Sequence, residues 1–153
     1  MNWKELVKNI QIPQKDLNYT FNPPVSLNTL EFLKTPFAFS KLPQTLEELY
    51  LQTNGICENL EDMPIGYLIW PIERTIETNT EVRTQPYFTE IYQSFDQWLF
   101  FSDAGNGDMF GFLNTQGKFE TSNIFRWDHE DDSRTKVAPD LQTFIEQTLT
   151  DAI

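Results

Sequence analysis

Cysteine and histidine are nearly missing from this chain, which holds one of each, Cys57 and His129. A single thiol excludes an internal disulfide. One cysteine and one histidine are also too few for a tetrahedral nitrogen/sulfur zinc site within one chain. Basic residues are scarce too: 11 Lys and Arg stand against 23 Asp and Glu, a formal net charge of −12. That balance argues against nucleic acid as a partner, which calls for a basic face or stripe. It equally disfavours anionic membrane surfaces. Long apolar runs are lacking as well. Tyr67 to Trp70 and Trp98 to Phe101 fall far short of the ~20 residues of a spanning helix. The first residues, Met1-Asn2-Trp3-Lys4-Glu5-Leu6, carry an acid early and no stretch of signal-peptide length. These absences predict a soluble cytoplasmic protein.

What is present is enough to fold. The chain has 153 residues with 13 Phe, 5 Tyr and 4 Trp, so it is no disordered acidic tail. Its length fits one domain over residues 1–153, with a core that needs no metal or disulfide. Trp3, Leu6, Val7 and Ile10 fall at helical spacing behind an Asn2/Glu5 capping pattern, predicting a short helix over 2–10. Pro13, Pro23, Pro24 and Pro36 punctuate residues 11–42, which read as a segment wrapping the core, with a helical turn or two around Leu27–Leu33. Pro43 inside a first turn and Gly55 past an end bracket a helix that stacks Leu46, Leu49 and Tyr50 on one face. Ile65 to Trp70 reads as a strand, and Pro71 to about Thr84 as a more exposed helix. Two aromatic runs around Asp103-Ala104-Gly105-Asn106-Gly107-Asp108 predict a hairpin. Ile124 to Trp127 is a further strand, and Pro139 opens a closing helix with Leu141, Phe144, Ile145 and Leu149 on its stripe. The series predicts an α+β domain, an antiparallel sheet with helices packed on one face.

Parts for catalysis are few. No Gly-x-Ser-x-Gly elbow, phosphate loop, dinucleotide fingerprint or His-Glu-x-x-His pair is present, and no cofactor is expected. His129 lies among Asp128, Glu130, Asp131 and Asp132, where it reads more readily as part of a hydrated loop than as a base or metal ligand. Asp103 to Asp108 departs from a calcium loop, because its third, sixth and twelfth positions are Gly105, Asp108 and Asn114. The glycines fit the positive backbone angles of a turn instead. Cys57, followed by Glu58 and Glu61, reads as a structural thiol. The acids themselves are patterned. No base falls between Lys41 and Arg74, nor between Arg83 and Lys118, and Asp128 to Asp132 forms a dense third group. Should these converge, they would attract a basic partner and repel anionic competitors. Ordinary solubility charge is the alternative.

An ordered series of motifs then points to a family. Leu42-Pro43 precedes Leu46, Leu49-Tyr50 and Asn54-Gly55; Gly66 and Trp70 follow, then Phe100-Phe101. Next come Gly107-Asp108-x-Phe110-Gly111-Phe112 and Gly117. Phe125-x-Trp127-Asp128-His129-Glu130, Val137-Ala138 and Phe144 complete the series. Over residues 42–145 the sequence resembles the SUKH superfamily, which includes bacterial immunity proteins and a fungal regulator of cell-wall synthesis. Members usually lead into the Leu-Pro helix with a helix bearing an acid and a Leu-Gly pair, which residues 28–41 lack. The resemblance implies an antiparallel sheet flanked by helices, no catalytic residues, and the blocking of a toxin by stoichiometric binding, and the residues themselves suggest no metal site. It implies a basic protein toxin of nuclease type as partner. Glu58, Glu61, Asp62, Asp128, Glu130, Asp131 and Asp132 are the first candidates for contact. Two other readings stand beside it: a regulatory or scaffold module without a toxin partner, and a metal-dependent enzyme built on Asp108, Asp128 and His129. The sequence sets no oligomeric state.

Overall fold

Asn2 caps α1 (Trp3–Asn9): its side-chain oxygen accepts from the Glu5 N–H at 3.1 Å. That helix buries Trp3 and Val7. The computed structural model describes residues 1–150. The proline-punctuated segment that follows holds more structure than its sequence declares: β1 (Leu17–Phe21), then α2 (Leu27–Lys34), capped by Ser26. Next come α3 (Gln44–Gln52), β2 (Ile56–Leu60), β3 (Met63–Ile69), α4 (Ile72–Thr84) and the single turn α5 (Pro86–Thr89). The hairpin β4 (Trp98–Asp103) and β5 (Met109–Leu113), then β6 (Ile124–Trp127), β7 (Arg134–Ala138) and α6 (Leu141–Leu149) complete it. Gly55 marks the end of α3 as expected, at φ +83°, and its Cβ position lies 2.7 Å from the Pro71 nitrogen, so no larger residue fits.

The chain is α+β, but its strands form two antiparallel sheets, β1-β2-β3 and β4-β5-β6-β7, where the sequence predicted one. They touch where β3 ends: the Trp70 N–H donates to the Phe101 carbonyl at 2.9 Å, and Ser102 Oγ donates to the Leu68 carbonyl at 2.6 Å. Beyond that point β3 and β4 part.

The larger sheet is covered on both faces, not on one. Along β4, Leu99 and Phe101 enter a core with Leu46, Leu49, Phe112, Phe144 and Ile145, packed under α3 and α6. Trp98 and Phe100 point the other way, into a second, aromatic core with Trp70, Val82, Phe95 and Trp127. Period-two alternation therefore feeds two cores from one strand. Helix α4 reaches both, through Ile72 and Val82. Its buried Asn79 fastens it to β4 by accepting from the Phe100 N–H at 2.9 Å and donating to the Phe100 carbonyl at 2.9 Å. That amide satisfies a backbone pair that no neighbouring strand reaches.

Candidate functional site

The sheet register assembles the acidic loops. Met109 pairs with Trp127 and Phe110 with Arg126, so the end of the β4–β5 loop lies beside the start of the β6–β7 turn. Asp108 is buried there. Its Oδ2 accepts from Arg126 Nε at 2.9 Å and Nη2 at 2.6 Å, while its Oδ1 lies 2.6 Å from His129 Nδ1. The His129 N–H also donates to Oδ1, at 3.1 Å. Burial pushes the Asp108 carboxyl up, yet the hydrogen bonds from His129 and Arg126 outweigh it and hold the group down at about 2. The same bond raises the His129 pKa above its ordinary value, against a smaller opposing effect of burial. His129 is therefore half-buried and bound, not a bystander on a hydrated loop. Gly107 permits this closeness: a Cβ there would meet the imidazole at 3.0 Å.

Two further knots repeat the design, each joining a buried indole, a carboxylate and an arginine. Trp70 Nε1 donates to Asp103 Oδ2 at 2.6 Å, and Arg74 Nη2 reaches the same oxygen at 3.0 Å while its guanidinium lies over the Trp70 ring. Trp127 Nε1 donates to Asp132 Oδ1 at 2.7 Å, with Arg134 Nη2 3.0 Å away. Asp132 Oδ2 accepts from the Gln93 N–H, so the β6–β7 turn is clamped to the segment after α5. Burial raises Asp132, but the bonds from Gln93, Trp127 and Arg134 bring its pKa below the usual carboxylate range. The remaining arginine, Arg83, donates to three carbonyls, those of Asn79, Asp96 and Trp98. Burial lowers its pKa to about 10.

The seven candidate acids therefore have different fates. Asp132 is spent inside the protein. Asp128 is half-buried and accepts from the Glu130 N–H, while Glu130 and Asp131 face water. Glu61 and Asp62 form the exposed turn between β2 and β3. Glu58, half-buried in β2, accepts from the Tyr19 hydroxyl at 2.7 Å. Among the described residues no hydrogen bond or ion pair joins the Glu58–Asp62 group to the Asp128–Asp132 group, and they belong to different sheets. Asp108, Asp128 and His129 bring one possible ligand atom each within 4.8 Å of one another. The guanidinium on Asp108 already supplies the cation that its carboxylate needs, and a dication would have to compete with it. No described helix is long and apolar enough to cross a membrane.

Gly107-Asp108 and Trp127-Asp128-His129, two separate pieces of the motif series, thus close on one another in space. The description SMI1 / KNR4 family (SUKH-1) belongs to a family model that matches residues 31–147. The chain belongs to this family. No curated protein matches the sequence. The SUKH-1 match begins inside α2, upstream of Leu42, where the motif series begins. In this SUKH-1 chain the motif residues build the fold: Asp108, Trp127 and His129 hold loops, and Gly111 lets β5 approach to 2.7 Å between its Cβ position and the Leu99 carbonyl. What sequence reasoning missed is the Asp108–Arg126 pair. The two residues lie 18 apart and meet only through the β5–β6 pairing, which no local sequence signal records.

Proposed function

We propose that this SUKH-1 chain is a cytoplasmic immunity protein that neutralises a cognate bacterial toxin by stoichiometric binding, without catalysis. The observation that carries this reading is the disposition of charge. All four arginines, Arg74, Arg83, Arg126 and Arg134, are tied to internal carboxylates or carbonyls, and three neutralise acids that are themselves built into the fold. The surface left over is strongly anionic, with Glu61, Asp62, Glu130 and Asp131 exposed on tight turns. The β6–β7 turn, clamped through Asp132 to Trp127, Arg134 and the Gln93 N–H, presents Glu130 and Asp131 with little ordering cost on binding. A basic nuclease cleft is the complementary surface, and a highly charged inhibitor reaches it fast. Membership of the family is compatible with this role.

The test is a titration against the toxin encoded beside the gene. A one-to-one complex that abolishes toxin activity is expected, with affinity falling steeply as salt rises. A toxin that stays fully active at saturating protein overturns the reading for that pair. Recovery of a stable assembly containing no toxin would favour the regulatory module instead.

A further inference from the structure

Where the two sheets part, they leave an open strand edge. From the Trp70–Phe101 and Leu68–Ser102 bonds, β3 and the end of β4 diverge around a cleft of about 490 Å³. One wall is β3 at Ile65, Gly66 and Tyr67, another is the β4–β5 loop from Asp103 to Asn106, and Ile12 and Gln14 before β1 with Thr148 and Leu149 of α6 also line it. Among the described residues, backbone pairing of Met63–Tyr67 is to β2 alone. The outward N–H and C=O groups of that stretch form an edge of the kind that pairs with another chain. The edge carries no lysine and its side chains are apolar, with Met63 67% and Ile65 53% exposed beside Leu60 at 43%. Pro64 does guard one position. Register shifts in the β2–β3 pairing sharpen the twist that holds the edge away from β4.

Charge decides what fits. Glu58 and Asp103 line the cleft, and Glu61 and Asp62 sit at the hairpin tip. The cation lining it, Arg126, is already engaged with Asp108. Glu58 makes one side-chain hydrogen bond among the described residues, from Tyr19, which leaves its second oxygen able to accept. A second copy of this chain would bring a net charge of −12 and its own Glu58, Glu61 and Asp62 to the same edge. We infer that the cleft between β3 and the β4–β5 loop receives an extended, basic segment of a protein partner by strand addition, with its Lys or Arg side chains directed at Glu58 and its apolar ones against Ile65 and Met63. This rests on the binding role proposed above and names the surface and the partner chemistry for it.

The probe is an acetylated octapeptide alternating Lys and Val, compared with two controls, one carrying Glu for Lys and one with alternate backbone N-methyl groups. Saturable binding of the first peptide alone is expected. Slowed hydrogen exchange of the Ile65–Tyr67 amides should accompany it. Ile65→Lys and Glu58→Gln should each weaken binding about tenfold, while Ile91→Ser, at an exposed residue outside the cleft lining, changes nothing. Glu58→Gln keeps an acceptor for Tyr19, so a folded variant is secured on at least one arm. The inference is overturned by no binding, by equal binding of the N-methylated or Glu peptide, or by protection elsewhere in the chain. Concentration-dependent self-association lost in Ile65→Lys overturns it in favour of a second copy. A toxin complex unaffected by both substitutions removes the cleft and leaves the immunity reading standing.

Discussion

Asp108 and His129 are bonded to one another, yet their titrations pull stability in opposite directions. The Asp108 carboxyl is held at about 2 against an ordinary 3.8, so the stabilisation it gives is present above pH ~4 and is lost as pH falls through about 2. His129 is shifted upward from 6.5, so its share is complete below that value and disappears as pH rises through the folded-state pKa. Replacing Asp108 by Asn strands the Arg126 guanidinium, and about 2 kcal/mol of stability should go, since Arg126 and His129 keep some access to water. His129→Gln separates the two effects. Its urea midpoint should fall clearly below wild type at pH 6 and approach it at pH 9. Equal gaps at both values would mean that the imidazole is neutral in the folded protein throughout.

At the scale of elements, the turn between β2 and β3 is built from residues poorly suited to it. Glu61 and Asp62 both take positive φ, 50° and 64°, between Leu60 and Met63, which pair directly. A two-residue hairpin turn of that kind favours Asn-Gly. Glu61→Asn with Asp62→Gly should therefore raise stability by about 1 kcal/mol in urea unfolding while weakening partner binding. Loss of both stability and binding would show that the acids hold the turn. Apart from the single turn α5, the helices and the β4–β5 hairpin were legible because caps, prolines and glycines stood at their ends. By contrast, β1, β2 and β7 were not: Ile56-Cys57-Glu58-Asn59-Leu60 and Arg134-Thr135-Lys136-Val137-Ala138 carry too little apolar alternation, and Leu17-Asn18-Tyr19-Thr20-Phe21, which does alternate, lies inside the proline-punctuated segment read as a wrap. Strand β1 is set by pairing with β2 far along the chain, a tertiary choice that local propensity does not record, whereas β2 and β7 are held in local hairpins with β3 and β6. The second sheet face was hidden for a related reason, since Trp98 to Phe101 reads as one apolar run whichever side each residue faces. The acidic groups were visible as residues, but their division was not: Asp132 and Asp131 are neighbours, and only the structure gives the first to Trp127 and the second to solvent.

For the molecule as a whole, that division turns net charge into a kinetic property. The three carboxylates on arginines are internal and contribute little field at a distance, because each is compensated within about 3 Å. The exposed acids on the β2–β3 and β6–β7 turns are uncompensated and lie on different sheets, so they act on an approaching partner as a broad field more than as a point contact. Rim charges of this sort change association more than dissociation. Glu130→Gln with Asp131→Asn should thus slow association with a basic toxin by roughly three- to tenfold at low salt, with dissociation nearly unchanged. The difference from wild type should close as ionic strength rises and the screening length shrinks to about 8 Å near 0.15 M. Surface-immobilised kinetics across a salt series measures both rates. A change confined to dissociation would place Glu130 and Asp131 in direct, desolvated contact, and no change would return the β6–β7 acids to the role of solubility charge.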